Sequence, residues 1–334
     1  MIRDPHEHNA RVSRVAKDTT DEAFLEKLNA ALDRSEELAP RERETAAQLP
    51  ILYVVGLPRS GTTLLCQVMA RYLRVGYVDN IIARFWRRPS VGIRLSKLLL
   101  GEDARLGISF KSQHGKTAEP AGPHEFGYFW RTWFNVDASK THHLTSDELA
   151  QVDRDGLRTA LRAEFLSTFE MPVVFKGVLC GFHAALLSEL HPASLFVHIK
   201  RDPLANAVSI LSARKARYGT YDAWWSLKPS TYPFVPKPAD PVEEVLRQMK
   251  DVDAEIAAEL AKPRVQSIAV NYRDICTDPG AVLEALVARV GLMGEKLERV
   301  GGDLPDLTES GGSTLPAEMM ERLRASVTGL AGGR

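Results

Sequence analysis

The chain has few cysteines, no excess of either charge and no long apolar run. Its three cysteines, Cys66, Cys180 and Cys276, are odd in number and far apart, so they offer no zinc-binding spacing and fit a reducing compartment. Lys and Arg total 43 residues and Asp and Glu also total 43, which excludes a bulk attraction to nucleic acid or anionic membranes. No apolar run approaches the ~20 residues of a membrane helix, and the first residues lack the apolar core of a signal peptide. We therefore expect a cytoplasmic protein without an integral membrane segment.

The composition is that of an ordinary globular protein, with 44% apolar and 26% charged residues. Its 334 residues can form one large or two modest domains. Apolar residues at helical spacing, among them Phe24, Leu28 and Leu32, predict a helix over residues 20–38, and a charged connector follows to about residue 49. We predict an N-terminal helical arm over 1–49 and a main domain over 50–334.

Apolar, strand-like runs alternate with helical patterns along the main domain. The predicted strands are residues 51–56, 172–176, 194–199 and 265–270. Strands separated by helices indicate a mainly parallel sheet covered on both faces, a P-loop-like three-layer α/β/α fold that collects ligands at the carboxyl ends of its strands. Two insertions, 79–135 and 217–241, look irregular, and such insertions usually form lids or pocket walls.

The loop from Gly56 to Gly61 leads from the first strand into a helix. The unpaired N–H groups and the positive dipole end of that helix favour a bound anion. The spacing Gly56-x4-Gly61 is that of a nucleotide-triphosphate P-loop, but Thr62 stands where such a loop has its lysine, which argues against ATP hydrolysis. Arg59 supplies a charge instead, and the hydroxyls of Thr62 and Thr63 add neutral donors.

A second candidate anion site follows the third predicted strand. Asp202 is suited to cap a helix whose first residue is Pro203, so Arg201 is expected at the carboxyl end of the strand. A guanidinium there can hold a phosphate through two parallel hydrogen bonds, with Ser209 as a further donor. The structural alternative is that Arg201 pairs with Asp202.

With these two motifs the chain resembles the sulfotransferases that use 3'-phosphoadenosine-5'-phosphosulfate (PAPS). The run Arg59-Ser60-Gly61-Thr62-Thr63 is similar to the 5'-phosphosulfate loop of the family, in the Arg variant of its bacterial and Golgi branches. Arg201 and Ser209, eight residues apart, resemble its 3'-phosphate signature. The resemblance covers roughly residues 50–295 and implies PAPS as co-substrate, 3'-phosphoadenosine-5'-phosphate (PAP) as product and no metal.

Two further positions carry the resemblance. Tyr272, in Asn271-Tyr272-Arg-Asp-Ile, resembles a tyrosine that lies beside the nucleotide in the family. Lys176, in Val174-Phe175-Lys176, resembles the central-strand lysine that faces the sulfuryl bridging oxygen. Transfer of a sulfuryl group needs little charge neutralisation, so amides, hydroxyls and one or two cations suffice. A lysine that extends from a strand end to solvent is the structural alternative for Lys176.

The general base is ambiguous in the sequence. Cytosolic members of the family usually have Lys-Thr-His at the central strand, whereas this chain has Lys176-Gly177-Val178. Other branches place a carboxylate after the first helix, and Asp79 is the acidic residue nearest that position. His124 and Glu125 lie beside a dense aromatic run, which suits a base at the wall of an apolar pocket. We rank Glu125 or His124 ahead of Asp79; alternatively both carboxylates cap helices and His124 is simply exposed.

Several other residues have weaker patterns. His183 can also reach the site but is more typical of a surface histidine at a helix start, and His142-His143 is interpreted as solvated. Trp224-Trp225 suits a lid over an acceptor. The glycine-rich run 310–314 lacks the adjacent cation of the family's C-terminal loop. An aromatic run is predicted to be mainly packing; its members are Phe126, Tyr128, Phe129, Trp130, Trp133 and Phe134.

The sequence therefore predicts a PAPS-dependent sulfotransferase that acts on a hydroxyl of a small-molecule or lipid-like acceptor, with no nucleic-acid partner. Two alternatives stay open. One is a catalytically silent module that binds PAPS or another nucleotide, since the Lys-Thr-His histidine is missing. The other is a P-loop small-molecule kinase, which Thr62 and the lack of a clear acidic strand end for magnesium disfavour.

Overall fold

Five parallel strands form the central sheet of the protein, in the order β2-β3-β1-β4-β5. The structure is a computed structural model that describes residues 11–101, 103–113, 115–137, 140–309 and 315–331. The strands are β1 (Ile51–Gly56), β2 (Gly76–Tyr77), β3 (Val173–Lys176), β4 (Ser194–Lys200) and β5 (Gln266–Asn271). The four predicted strands are confirmed. Strand β2 was not predicted, because two residues carry no periodic pattern.

Helices connect the strands and flank the sheet. The described α-helices are α1 (Thr19–Asp33), α2 (Thr62–Tyr72), α3 (Pro89–Leu100), α4 (Gly127–Trp133), α5 (Ser146–Ala150), α6 (Arg154–Thr159), α7 (Ser167–Phe169), α8 (Ala184–Leu190), α9 (Pro203–Tyr218), α10 (Pro241–Leu260), α11 (Tyr272–Thr277), α12 (Pro279–Leu292) and α13 (Ala317–Ala331). A π-helical stretch, Ala160–Leu166, joins α6 to α7.

Alternate residues of the buried strands enter two separate cores. On one face the rings of Phe175 and Phe196 stack on Tyr53, with centroid distances of 5.7 and 4.9 Å. On the other face Leu52 and Val54 pack against residues of α2 and α12. A sheet with an apolar core on each face is the centre of a three-layer α/β/α fold, so the predicted fold class is confirmed.

The connecting segments differ in part from expectation. The insertion 79–135, predicted as irregular, contains α3 and α4, whereas 219–240 contains no described helix or strand. Helix α13 was not anticipated, and α1 ends five residues earlier than the predicted 38. The side chain of Asp18 caps α1 by accepting from the amides of Thr20 and Asp21. The boundary between an arm and a main domain at residue 49 stays a prediction.

Within the described part of the chain, no helix combines the length and the apolarity needed to cross a bilayer. The three cysteines are buried and free.

Candidate functional site

The loop after β1 is a tight cradle built on two glycines with positive φ. Gly56 has φ of 148° and Gly61 has φ of 108°. A Cβ atom at Gly56 would lie 2.6 Å from the carbonyl oxygen of Ile199, and one at Gly61 would lie 2.3 Å from the ring of Tyr272. Both positions therefore require glycine. Helix α2 begins directly after Gly61, so its first N–H groups point into this loop.

Hydroxyl groups surround the start of α2. Thr62 and Thr63 are buried, and Ser60 is only 1% exposed. The hydroxyl oxygen of Ser60 has no hydrogen-bond partner among the described residues. A buried polar group without a partner costs free energy, so this hydroxyl is suited to a polar ligand in the loop.

Two arginines meet beside the loop. Arg201, directly after β4, donates from Nη1 to the carbonyl oxygen of Arg59 at 2.8 Å. Arg59 in turn donates from Nε to the hydroxyl of Ser209 on α9 at 3.0 Å. The guanidinium of Arg201 lies over the ring of Tyr272, 4.5 Å from its centroid. Residues 59–63, Arg201, Ser209 and Tyr272 thus form one group, called here the anion cradle.

The electrostatics of the anion cradle favour a negative ligand. Burial is the largest cause that lowers the pKa of Arg59 to about 10, and repulsion from Arg201 and Arg217 adds to it. The positive charges of Arg59 and Arg201 therefore repel each other in the absence of an anion. An anion bound between them removes that repulsion and accepts charge-assisted hydrogen bonds.

Lys176 ends β3 beside the same loop. Its Nζ donates to the hydroxyl of Thr63 at 3.1 Å and to the carbonyl oxygen of Gly115 at 2.7 Å. The Thr63 hydroxyl also donates to Gly115, at 3.2 Å. Burial is the main cause that lowers the pKa of Lys176, while the nearby carboxylate of Glu125 opposes that shift. The ammonium group is therefore an internal cation at the edge of the anion cradle.

The carbonyl oxygen of Gly115 accepts hydrogen bonds from both Lys176 and Thr63. A Cβ atom added to Gly115 would lie 3.3 Å from Nη1 of Arg59 and 3.5 Å from the Thr63 hydroxyl. Gln113 and Lys116 pair their backbones in an isolated antiparallel bridge around this glycine. The short turn therefore closes one side of the anion cradle.

A pocket of about 850 Å³ adjoins the anion cradle, and its lining includes Lys176 and Gly115, which both contact Thr63 of the cradle. The volume is within the usual range for small-molecule sites. Its walls come from the chain before and within α1, from the segments around 80–86 and 115–131, and from the Trp224-Trp225 loop. The side chains of Trp224 and Tyr232 are close, with ring centroids 4.4 Å apart. Tyr128 donates to the carboxylate of Glu22 at 2.6 Å and so ties α1 to the pocket wall.

Glu125 and His124 line this pocket near Lys176. The carboxylate of Glu125 makes no hydrogen bond to a described residue. His124 accepts a hydrogen bond from the amide of Phe126 at its Nδ1, at 2.9 Å. Desolvation by the pocket walls, with smaller contributions from Lys176, Arg84, Lys17 and Lys116, lowers the pKa of His124 to about 3, although the residue as a whole is exposed. His124 is therefore neutral near pH 7, and its proton lies on Nε2.

The backbone of Asp79 pairs with Pro123 next to His124, but its carboxylate is engaged away from the pocket. Asp79 is 3% exposed and does not line the pocket among the described residues. One carboxylate oxygen accepts from the amides of Ile81 and Ile82, at 2.9 and 2.7 Å, and the other bonds to the hydroxyl of Ser96. Burial raises the pKa of Asp79, and these hydrogen bonds oppose the shift. The geometry is that of a carboxylate that stabilises a turn.

Two histidines differ from their sequence interpretation. His183 was expected at the surface, but it is 1% exposed, lies against Phe134 and contacts the carbonyl oxygen of His142 at 3.0 Å. His142 was expected to be solvated and is 4% exposed. Burial is the main cause that lowers the pKa of both rings, that of His183 to about 3. A histidine at the start of a short apolar helix has the same sequence pattern whether the helix start is exposed or buried, so the burial of His183 was not predicted.

The aromatic run is mainly packing, as predicted: Phe126, Phe129, Trp130 and Phe134 are each 1% exposed. Tyr128 alone of the six predicted aromatics lines the pocket among the described residues. The run 310–314 lies outside the described residues.

The sequence alone did not predict the turn at Gly115, the pocket residue Lys116 or the role of Asn206. Asn206 donates to the carbonyl oxygen of Pro58 at 2.7 Å and so fixes the loop to α9. The available signal was a glycine next to a lysine, Gly115-Lys116, within a polar segment. This pair is far along the chain from every motif of the anion cradle, so the sequence did not indicate that it lies at the site.

The chain is similar to known proteins at the level of a family and of two solved structures. A family model described as "Sulfotransferase family" matches residues 50–295. Among solved structures, sulfotransferase STF1 from Mycobacterium tuberculosis H37Rv is 17% identical, with a TM-score of 0.49 over 82% of this chain and 76% of that one. Sulfotransferase STF9 from Mycobacterium avium is 14% identical, with a TM-score of 0.44 over 92% of this chain and 72% of that one. No curated protein matches the chain significantly.

Proposed function

Because the chain belongs to the sulfotransferase family, we propose that it transfers a sulfuryl group from PAPS to a hydroxyl of a small-molecule or lipid-like acceptor. The observation that carries the choice of donor is the anion cradle, in which Arg59 and Arg201 converge on the loop before α2. A donor with phosphate groups at both its 3' and 5' positions supplies negative charge to both arginines.

The residues of the anion cradle fit such a donor. The loop amides, with Ser60, Thr62 and Thr63, would hold the 5'-phosphosulfate, since they offer several donors around two glycines that leave room for it. Arg201 and Ser209 would hold the 3'-phosphate, and Tyr272 would contact the nucleotide. The partnerless hydroxyl of Ser60 supports this assignment.

Lys176 is proposed to neutralise charge on the bridging oxygen. In the transfer, the bond between sulfur and this oxygen breaks while a bond forms between sulfur and the acceptor oxygen, which loses its proton to a base. PAP leaves with the electron pair of the broken bond. Lys176 already donates to Thr63 in the loop, so its ammonium is close to the position that the 5' group would take.

Glu125 is the proposed base. It lines the pocket with Lys176, has an electrostatic interaction with it and has no hydrogen-bond partner among the described residues. His124 is less suited to this role, because its acceptor nitrogen already receives the amide of Phe126. We propose that its Nε2–H instead donates to the reacting oxygens. Asp79 ranks last, since both of its oxygens are engaged.

The donor assignment is tested by melting the protein with PAP and, separately, with Mg-ATP. A ligand that binds only the folded state raises the melting temperature by mass action. We expect PAP to stabilise the protein and Mg-ATP to have little effect. Equal or greater stabilisation by Mg-ATP would contradict the proposal and favour the kinase alternative.

Binding alone does not separate an enzyme from a silent PAPS-binding module. The second measurement is the release of PAP from PAPS in the presence of simple alcohols and phenols, followed by chromatography. Acceptor-dependent release of PAP with a sulfated product is the expected result. Tight binding of PAP with no product from any acceptor would favour the silent module. That no metal takes part stays a prediction, to be checked by adding a chelator.

A further inference from the structure

The charge of the pocket differs from that of the whole protein. The chain has equal numbers of basic and acidic residues. The described pocket lining has eight cationic side chains and four carboxylates: Arg11, Lys17, Arg84, Lys116, Arg131, Lys176, Arg217 and Lys228, against Asp18, Asp21, Glu22 and Glu125. The pocket therefore concentrates positive charge in a protein with no net charge.

The carboxylates of the pocket compensate this charge only in part. Glu22 forms an ion pair with Lys17 at 3.0 Å and also binds Tyr128. Asp18 caps α1 through the amides of Thr20 and Asp21. These two acids are therefore occupied at one side of the pocket. The histidines add no positive charge near pH 7, because burial lowers the pKa of His142 and desolvation by the pocket walls lowers that of the exposed His124.

Three of the cations lack a compensating acid at hydrogen-bond distance. The side chains of Arg84, Lys116 and Arg131 form no hydrogen bond or ion pair with a described residue. Arg217, Arg11 and Lys17 repel the ammonium of the exposed Lys116, and of the described acids only Glu125 opposes this repulsion. Such a cluster is unfavourable when empty and becomes favourable when an anionic group enters it.

Aromatic side chains lie between these cations. Trp86 contacts Tyr128, with ring centroids 4.9 Å apart, and Trp224 and Tyr232 form a second pair on the opposite segment. Flat apolar faces beside cations suit a ligand with a ring and an anionic substituent, because the ring packs on the aromatic faces while the anion pairs with the cations.

We propose that the pocket selects acceptors that carry an anionic group, such as a carboxylate, phosphate or sulfate ester, on a ring-containing body, and that Lys116 is a main determinant of this selection. The inference rests on the proposed function, since it assigns the pocket to the acceptor. Lys116 and Gly115 belong to one turn, so the determinant lies next to the group that contacts Lys176.

The test measures the binding of ring-matched probes by calorimetry, with the protein saturated with PAP so that the anion cradle is filled. The probes are 2-naphthoate, uncharged 2-naphthol and cationic 2-naphthylmethylamine. We expect 2-naphthoate to bind at least about tenfold more tightly than the other two, the scale of one charge-assisted hydrogen bond. High salt should reduce this advantage, because it screens the charges.

Two lysines of one segment provide a matched pair of variants. Lys116→Gln should remove most of the advantage of 2-naphthoate over 2-naphthol. Lys111→Gln should leave it unchanged, because Lys111 is exposed and does not line the pocket. Arg131→Gln is a second pocket variant and should also reduce the advantage of 2-naphthoate. It serves as the test if Lys116→Gln does not fold.

The inference would be overturned by equal affinity for the charged and uncharged probes. It would also be overturned if 2-naphthoate at millimolar concentration did not bind the protein saturated with PAP, or if the preference were unchanged in both pocket variants. The affinity for PAP is measured first on the same protein, and this measurement tests the donor assignment separately. If PAP does not bind, that assignment fails, and the comparison of probes without PAP still decides the charge preference.

Discussion

The anion cradle and the pocket are adjacent, but they are built differently. The anion cradle is narrow and depends on backbone: two glycines approach other groups so closely that a Cβ atom has no room. The pocket measures about 850 Å³ and is lined by side chains from distant segments, including the start of α1. Lys176 and Gly115 lie at the boundary between them.

This difference in construction determines which part of the site tolerates variation. A loop fixed by backbone geometry binds one kind of group, because changing a side chain there disturbs the chain itself. A pocket lined by side chains from loops changes its ligand when those side chains change. In the proposed function, the anion cradle holds the donor PAPS and the pocket selects the acceptor. Variants that affect one region without the other test this division.

The largest effect is expected for Glu125→Gln. Loss of a general base should lower kcat by about 10²–10⁴-fold, while the affinity for PAP stays nearly unchanged, because the carboxylate faces the pocket. Steady-state kinetics and calorimetry with PAP check both parts. Glu119→Gln is the control, since Glu119 binds Ser109 outside the pocket.

His124→Ala and Asp79→Asn complete this comparison. His124→Ala should lower kcat less than Glu125→Gln does, and Asp79→Asn should act mainly on stability, since Asp79 holds the turn at Ile81 and Ile82. If Asp79→Asn alone abolishes turnover in a folded protein, the base is the carboxylate after the first helix and our ranking is wrong.

Lys176→Met tests the boundary between the two regions. The variant keeps an apolar stem of similar length and loses the cation, so kcat should fall by roughly 10²–10³-fold, the usual cost of removing one group that stabilises developing charge. Rapid-quench measurement of PAP formation checks this effect. Lys111→Met, at an exposed position, should retain normal turnover. Near-normal turnover in Lys176→Met would exclude the lysine from the transfer step.

Arg201→Ala should act on the donor alone. The loss of a charged hydrogen-bonding group costs about 1.5–3 kcal/mol, so the Kd of PAP should rise about 10- to 150-fold. Binding of acceptor probes should change little. Arg273→Ala is the control, because Arg273 is exposed and its ion pair with Glu309 is long, at 3.8 Å. An unaltered Kd for PAP would mean that Arg201 only supports Arg59.

Glycine variants are expected to act on folding and on donor binding, with the smallest effect on the chemical step. Gly61→Ala places a Cβ atom against Tyr272 at a positive φ, so the protein should lose about 1–3 kcal/mol of stability and its PAP affinity. Gly291→Ala lies in α12 with no neighbour near the added Cβ atom, and it should be neutral or stabilising by up to about 1 kcal/mol. Similar melting temperatures for the two variants would contradict a backbone-determined cradle.

The sequence predicted most residues of the anion cradle, because they belong to local motifs. A strand, a glycine loop and a helix follow one another from Ile51 to Tyr72, and Asp202-Pro203 marks the next helix start. The sequence did not predict the hydrogen-bond partners of Arg59 and Lys176. Ser209 and Gly115 are distant from them in sequence and come into contact with them only in the folded sheet. The roles of all these residues in binding and catalysis stay predictions.

The pocket was much less predictable. Glu125 and Lys116 lie in a segment that has no regular periodicity, and the start of α1 joins them only through contacts such as Tyr128 with Glu22. Helix α3 was missed in the same segment, although Pro89 at its first turn is a usual start signal. Side chains that come from different loops have no fixed spacing in the sequence, so their assembly into one pocket could not be predicted.

The most direct test of the division between the two regions is a crystal structure of the protein with PAP. We predict that the 5'-phosphate contacts the amides at the start of α2 and the hydroxyl of Ser60, and that the 3'-phosphate lies within hydrogen-bond distance of Arg201 and Ser209. The pocket should stay open beside it, with Glu125 facing the space next to the 5'-phosphate. PAP found inside the 850 Å³ pocket, with the loop at Gly61 empty, would contradict the account.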